Sequence, residues 1–497
     1  MANMKALAKD TAIYGLSSIV GRFLNYLLVP LYTHCMPKES GDYGISTNMY
    51  AYTALILVLL TFGMETTLFR FANDEAPTDS DQQGRKWPDT VFTTSFAVVG
   101  TLTAIFLLLL FGFITPISNA LGYAEHPNYL LMMGVVVALD ALQAIPFSYL
   151  RFQRRPIRFA SLKLLFIFLN ITLNVIFFVW LGKTSVFYVF LLNLLCTGFI
   201  TFFFIPDLCH IQWHFDGNLL RRMFSYSWPI LILGVAGILN QVADKILFPL
   251  IYPGTQIEAN EQLGVYGSCV KIAMIMAMIT QAFRYAYEPI VFAKSKDADK
   301  GEYYASAMKY FLIFTLLAFI CVIGWMPLLK LIIGADYREG LGVVPIVMAA
   351  EIMMGIYFNL SFWYKLIDKT IYGAWFSLAG CLVLIAVNIL LIPKYSYWAC
   401  AWGGVAGYGT SMLLSYFVGQ KKNPIPYPMK EMGCYVLLAA FITFMILFFK
   451  DRFEPWLNFI INTAWIIAFV AYIIKHDLPL ANIPVIGKYF GKLKIKN

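Results

Sequence analysis

Charged residues are scarce in this sequence. Only 13% of its 497 residues are charged, whereas 60% are hydrophobic. A soluble globule of this length would need more polar surface to cover its core, so the composition and a mean hydropathy of +0.69 indicate a polytopic membrane protein. The net charge of +9 does not indicate nucleic-acid binding, because the basic residues occur in short clusters between apolar segments.

Recognisable catalytic and metal-binding patterns are also missing. The eight cysteines occur singly, mostly in apolar segments, which argues against a disulfide framework or a zinc site. The HIQWH stretch at 210–214 has two histidines at helical spacing but neither a third ligand nor the glutamate of a zinc protease motif. No phosphate loop, nucleotide motif or nucleophile–base pairing is found. We therefore expect neither an enzyme nor a resident cofactor or metal.

What the sequence does have is a succession of apolar runs, each long enough to cross a bilayer. They predict an all-α fold with about fourteen transmembrane helices. The basic clusters place both termini in the cytoplasm by the positive-inside rule. Whether 185–205 is an independent span stays open. The predicted spans lie near 11–33, 43–66, 89–114, 128–150, 157–181, 185–205, 226–251, 264–285, 306–332, 341–363, 371–393, 397–418, 431–449 and 455–475.

An internal repeat divides these spans. The glycine-to-proline segment 15–30 returns at 234–249, and GDYG at 41–44 returns as GVYG at 264–267. Two copies of a six-helix unit, pseudo-symmetric about an axis along the membrane normal, are therefore predicted. The resulting domains are a bundle at 1–205, a cytoplasmic linker at 206–225, a second bundle at 226–420, two additional helices at 421–475 and a basic cytoplasmic tail at 476–497.

Both copies of the glycine-to-proline segment carry a polar stripe. In the first copy it contains Arg22 and Asn25, and in the second Gln241 and Asp244, with Lys245 beside them. Polar groups inside a span avoid lipid and face protein or a water-filled cavity. We interpret these five residues as substrate-binding candidates. The alternative is helix packing, in which a buried Arg22–Asp244 pair joins the two halves.

A second charged set lies near the ends of spans two and eight. It comprises Glu65, Arg70, Arg284 and Glu288. We interpret Glu65, Arg70 and Glu288 as a gate or rim and Arg284 as a further substrate-binding candidate. The alternative is ordinary snorkelling of charged side chains near helix ends.

Two carboxylates lie deeper in the predicted spans, Asp140 in span four and Glu351 in span ten. Either could bind a coupling proton or Na⁺, because burial favours the neutral or cation-bound form of a carboxyl group. A structural carboxylate satisfied by a neighbouring helix is the alternative.

Several motifs, in order along nearly the whole chain, resemble a known family. The chain is similar to the polysaccharide, or oligosaccharide-lipid, flippases of the multidrug/oligosaccharidyl-lipid/polysaccharide exporter superfamily. The similarity lies in KALAKDTAIYGLSSIVGRFLNYLLVPLYT, in GMETTLFRF, in NITLN, in IPKYSYWACAWGGVAGYGTSMLLSY and in QKKNPIPY.

The resemblance implies two six-helix bundles in a V shape. These would move an undecaprenyl-diphosphate-linked oligosaccharide, such as an O-antigen, capsule or exopolysaccharide repeat unit, across the bacterial inner (cytoplasmic) membrane by alternating access. Arg22 could hold phosphate oxygens through its guanidinium, so Arg22→Ala is expected to abolish surface glycan display at normal protein abundance. The expected partners are the lipid-linked substrate and membrane lipids, with a polysaccharide polymerase left open. We expect a monomer that does not bind nucleic acid.

Two related functions stay open. A multidrug or cation antiporter of the same superfamily would have twelve spans and an acidic, aromatic cavity, and the two extra spans and Arg22 argue against it. A flippase for the peptidoglycan lipid precursor would share both fold and span count. A membrane-embedded glycosyltransferase would need a large outer loop or a cytoplasmic catalytic domain, and the sequence shows neither.

Overall fold

A computed structural model describes residues 27–73, 87–293, 300–365, 367, 369–450 and 452–477. Helices make up nearly all of the described chain. The helices of the first half are α1 (Leu28–Cys35), α2 (Asp42–Thr61), α3 (Met64–Ala72), α4 (Trp87–Gly112), α5 (Ile114–Ala120), α6 (Pro127–Phe152), α7 (Pro156–Val175), α8 (Val186–Phe202), α9 (Ile205–Cys209) and α10 (Gly217–Ile251). They are followed by α11 (Gln256–Ala293), α12 (Lys300–Gly324), α13 (Met326–Leu329), α14 (Val344–Leu360), α15 (Phe362–Lys365), α16 (Ile371–Tyr395), α17 (Tyr397–Lys422), α18 (Met429–Phe449) and α19 (Pro455–His476).

The prediction of an all-α polytopic membrane protein is confirmed. Within the described residues, 12 helical segments are long and apolar enough to cross a membrane. Helix α17 adds a segment of 26 residues that is richer in glycine and polar residues, and α1 is the described end of the predicted first span. The sequence left open whether 185–205 is an independent span. The helical segment 186–209 is by itself long and apolar enough to cross a membrane, so it counts as a separate span.

Helix α10 begins earlier than the sequence pattern indicated. Its first residue is Gly217, so part of the predicted linker 206–225 is helical. The start is fixed by Asp216, whose Oδ1 accepts hydrogen bonds from the backbone N–H groups of Asn218 at 2.8 Å and Leu219 at 3.1 Å. A capping aspartate satisfies backbone donors that have no partner within the helix, which explains the position of this terminus.

The chain divides into two compact units. The first contains 1–271, 333–340 and 374–407, and the second contains 272–332, 341–373 and 408–497. This division follows packing and not the repeat, so the six-helix bundles and their boundaries stay a prediction.

In the first unit, α2 and α11 approach each other backbone to backbone at glycines of the repeated motifs. A Cβ on Gly44 would lie 1.8 Å from the carbonyl oxygen of Asn260, and one on Gly264 would lie 3.1 Å from the Gly44 nitrogen. Such an approach requires residues without side chains. The motifs GDYG and GVYG, detected as repeats of one another, therefore meet in space.

In the second unit, α18 and α19 are tied to α12 by a polar cluster at one end of the helices. The ammonium of Lys309 lies 2.6 Å from Glu431 Oε2 and also binds Asp477. Asp477 accepts a further hydrogen bond from the Tyr435 hydroxyl. Because Lys309 and Asp477 are mostly buried, this cluster fixes the last two helices against the rest of the unit.

Candidate functional site

Three of the predicted site residues cannot be placed. Arg22 and Asn25 lie outside the described residues, and of Glu288 only the backbone, within α11, is described. Their roles therefore stay predictions.

The predicted residues of α10 lie together. The ammonium of Lys245 is 3.0 Å from both carboxylate oxygens of Asp244 and 3.0 Å from the carbonyl oxygen of Gln241. The Tyr266 hydroxyl donates a hydrogen bond to Asp244 Oδ2 at 2.7 Å. An ammonium has three donors, and all three of Lys245 are used here. Within the described chain, the carboxylate of Asp244 is thus balanced by its sequence neighbour and by a tyrosine from α11.

A polar chain extends from this pair. The side-chain amide of Asn48 donates to the carbonyl oxygen of Lys245 at 2.7 Å and accepts from the Tyr123 hydroxyl at 2.8 Å. Lys271 of α11 is half-buried and lies within electrostatic range of Lys245. No hydrogen-bond acceptor for the Lys271 ammonium occurs among the described residues. The Asp244–Lys245 pair is neutral, so Lys271 leaves one net positive charge beside it.

The predicted gate residues Glu65 and Arg70 point in different directions. Glu65 accepts a hydrogen bond from Ser148 of α6 at 3.3 Å. The guanidinium carbon of Arg70 lies 4.1 Å from the ring centroid of Tyr226 in α10. Five residues along a helix correspond to about 140° of rotation, which separates the two side chains. The two therefore do not form an ion pair.

The structure reveals two cations that the sequence reasoning missed, Lys271 on α11 and Lys163. Lys163 of α7 lies with its ammonium 4.0 Å from the ring centroid of Phe147, and its charge acts on Asp140 and Glu65. No hydrogen-bond acceptor for this ammonium occurs in the described part of the chain. The available signal was the one used for Asp140, an ionisable residue inside a predicted span. Lys163 has no counterpart in the second copy of the repeat, so a search for polar residues present in both copies did not find it.

The candidates of the second unit lie on α11 and α14. The guanidinium carbon of Arg284 is 5.0 Å from the ring centroid of Phe358. Glu351, on the same helix as Phe358, is half-buried. A cation facing an aromatic ring is weakly stabilised by the ring. This contact is compatible with Arg284 as a substrate-binding residue in the absence of substrate and with a purely structural role.

Comparison with known proteins decides the family. The profile of a protein family described as "Polysaccharide biosynthesis protein" matches residues 7–293, more than half of the chain. The chain belongs to the polysaccharide biosynthesis protein family. The resemblance inferred from the motifs is thereby confirmed. The matched region contains Arg22, Lys163, the Asp244–Lys245 pair and Lys271, so these candidates all lie in the part that defines family membership.

Solved structures share the fold of this polysaccharide biosynthesis family member. The lipid II flippase MurJ, in an inward closed conformation, is 15% identical with a TM-score of 0.73, covering 93% of this chain and 98% of MurJ. An inward-facing multidrug resistance transporter of the MATE family, from the MOP superfamily, is 13% identical with a TM-score of 0.62, covering 81% of this chain and 94% of the transporter. Identities this low show the fold alone. A search of curated protein sequences finds no match.

Proposed function

We propose that this protein is a flippase that moves an oligosaccharide linked to a lipid through a diphosphate across the bacterial inner membrane by alternating access. The repeat unit belongs to a surface polysaccharide such as O-antigen of lipopolysaccharide, capsule or exopolysaccharide. Both termini lie in the cytoplasm, and the protein works as a monomer beside, or without, a polysaccharide polymerase. A proton or sodium gradient is the proposed source of energy. Membership of the polysaccharide biosynthesis family supports this proposal.

The observation that carries the proposal is the pair of lysines, Lys163 and Lys271, inside the membrane helices. A lysine at the centre of a span costs about 3 kcal/mol on insertion scales. Neither ammonium has a hydrogen-bond acceptor among the described residues, and neither is fully buried. An ammonium binds phosphate oxygens with a charge-assisted hydrogen bond. Two lysines whose ammonium groups are available in this way favour a substrate with a diphosphate over a substrate that is an organic cation.

Reconstituted vesicles would test this function. The probe is a fluorescent prenyl-diphosphate-linked N-acetylglucosamine, and the measurement is the fraction that becomes accessible to an impermeant quencher. We expect the wild-type protein to speed the transfer and Lys271→Met to slow it at least about tenfold. The control Lys394→Met removes a lysine at the end of α16 and should transfer at the wild-type rate. Equal rates in vesicles with and without protein would contradict the function.

A peptidoglycan lipid-precursor flippase is the second candidate, favoured by the fold shared with MurJ. Complementation distinguishes the two. Rescue of cells depleted of their own lipid II flippase would support the second candidate. Loss of surface glycan with normal cell-wall synthesis after gene deletion supports the first. Efflux of cationic drugs without either phenotype would instead support the multidrug antiporter.

A further inference from the structure

A cavity of about 390 Å³ lies inside the first unit, where four helices begin or end. Its walls come from the start of α4, the end of α6, the start of α7 and the short helix α9. The predicted topology places all of these helix ends on the cytoplasmic side. Among the described residues, none of the predicted substrate-binding, gate or ion-coupling candidates lines the cavity. It is therefore separate from the candidates for transport.

Two arginines of α7 and of the turn before it line this cavity. The Nε and Nη2 groups of Arg158 donate to Asp207 Oδ2 at 2.9 and 2.7 Å, and Nη2 also donates to the carbonyl oxygen of Phe203 at 3.0 Å. The Arg155 Nη1 atom lies 3.7 Å from Asp207 Oδ1, beyond hydrogen-bond distance. No described residue accepts a hydrogen bond from the guanidinium of Arg155 or from Nη1 of Arg158. These N–H groups are available to a ligand.

Positive charge is in excess around the cavity. Asp207 balances one of the two guanidinium groups, and the other lining carboxylate, Asp89, is buried and accepts a hydrogen bond from the Tyr149 hydroxyl. The turn between α6 and α7 adds Arg151 and Arg154, which are exposed and form no ion pair with any described residue. Four arginines therefore stand against two carboxylates. A basic cluster on the cytoplasmic side attracts the anionic lipids of that leaflet.

Exposed apolar side chains flank these arginines. Ile157, which lies between Arg155 and Arg158 in the sequence, is 76% exposed. Phe202, at the end of α8, is 68% exposed, and Ile205, at the start of α9, is 49% exposed. Large apolar side chains that are exposed beside a membrane span are expected to contact lipid. A ligand that combines a phosphate with acyl chains can contact both the arginines and these apolar groups, whereas a free phosphate contacts only the arginines.

We propose that the cavity binds the phosphodiester headgroup of an anionic phospholipid from the cytoplasmic leaflet. The phosphate oxygens accept hydrogen bonds from Arg155 and from Nη1 of Arg158, because a guanidinium binds phosphate through two parallel N–H groups. The acyl chains lie against Ile157 and the apolar residues near it. The volume is in the range of small-ligand pockets, which leaves room for a glycerol headgroup. This site does not depend on which substrate the protein transports.

Native mass spectrometry of the delipidated full-length protein in detergent tests the proposal, because the mass of each complex identifies the bound species. The probes are phosphatidylglycerol, which is anionic, phosphatidylethanolamine, which is zwitterionic, and inorganic phosphate. We expect one phosphatidylglycerol to bind at least about fivefold more tightly than phosphatidylethanolamine. Inorganic phosphate at millimolar concentration should not displace it, since phosphate lacks the acyl chains.

Three single variants and a matched control locate the site. Arg155→Gln leaves the Arg158–Asp207 ion pair intact and should weaken phosphatidylglycerol binding at least about fivefold. Arg158→Gln should weaken it as well, and thermal unfolding shows whether Asp207 without its partner destabilises the protein. Ile157→Asn keeps both arginines and should weaken binding of the lipid about threefold or more. The control is Arg221→Gln, because Arg221 is exposed near the start of α10 and does not line the cavity, so wild-type affinity is expected.

Four results would overturn the proposal. Wild-type affinity for phosphatidylglycerol in folded Arg155→Gln would show that the lipid binds elsewhere on the membrane-facing surface. Equal affinity for the two phospholipids would remove the selectivity for an anionic lipid. Displacement of the lipid by inorganic phosphate would make the cavity a site for soluble anions. Displacement by a prenyl-diphosphate-linked N-acetylglucosamine, one molecule for one lipid, would assign the cavity to the transported substrate.

Discussion

The ammonium of Lys38 lies 2.8 Å from Glu339 Oε1, joining positions 301 residues apart in the chain. Two neutral contacts accompany this ion pair: the Gly334 N–H donates to Thr33 Oγ1 at 3.0 Å, and the Tyr337 hydroxyl donates to the Met36 carbonyl oxygen at 3.2 Å. Within the first unit, these three contacts join the segment 33–38 to the segment 334–339, and each of them links residues 301 positions apart.

The first prediction concerns the Lys38–Glu339 pair. Lys38→Glu and Glu339→Lys should each lower the melting temperature in detergent, because each places like charges opposite one another. The exchanged double variant should recover most of the loss, with a coupling free energy of about 0.5 kcal/mol, since Glu339 is 47% exposed and water screens the pair. Losses that simply add in the double variant would show that the two charges do not interact in solution.

The second prediction concerns the close approach at Gly44. Gly44→Ala should destabilise the protein by about 3 kcal/mol or more, because the new methyl group would meet the backbone of Asn260 and not a flexible side chain. Gly433→Ala is the control, since no atom of the described residues lies within 4 Å of the added Cβ. It should be neutral or stabilising by up to about 1 kcal/mol, as expected for alanine in a helix. Similar melting temperatures for the two variants would contradict the backbone contact.

These contacts also indicate how far sequence reasoning reaches. The spans were predictable because apolar runs of helix length have few alternatives in a chain of this composition. The repeat identified GDYG and GVYG, but not that they touch, because contact depends on how helices cross. The partners of Asp244 show the same limit: Lys245 is adjacent in sequence, whereas Tyr266 arrives from another helix. Lys163 was detectable in principle, but its relation to Asp140 required the packing of α7 on α6.

The third prediction concerns pH and Asp477, which lies just beyond the last span. Burial alone would raise the pKa of Asp477, but the hydrogen bonds from Lys309 and Tyr435 outweigh it and hold the pKa below its usual range. The unfolded chain then binds a proton at higher pH than the folded protein. The stabilisation is therefore complete above the ordinary aspartate pKa of about 4, and it is lost as pH falls from there through the lowered pKa.

Melting temperatures between about pH 6 and pH 3 measure this effect, because the range brackets the ordinary aspartate pKa. Asp477→Asn should be less stable than wild type at neutral pH, and the difference should shrink as the pH falls. Glu431→Gln is the comparison, because Glu431 binds the same lysine but is 58% exposed. Glu431→Gln should therefore lower the melting temperature less than Asp477→Asn does. A difference between Asp477→Asn and wild type that is constant across the range would contradict the lowered pKa.

The last prediction distinguishes the two interpretations of Lys245. Asp244 is buried, so Lys245→Met should leave the Asp244 carboxylate without a counter-ion and destabilise the protein by about 3 kcal/mol or more. The double variant Asp244→Asn with Lys245→Met removes both charges and should recover most of that stability. Because all three donors of Lys245 are already used, we expect this double variant to transfer the fluorescent prenyl-diphosphate probe at near the wild-type rate. If Lys245 binds substrate, as its position in the repeat predicted, the double variant will instead be stable but will transfer the probe slowly. A double variant that stays unstable would show that the pair is also needed for folding.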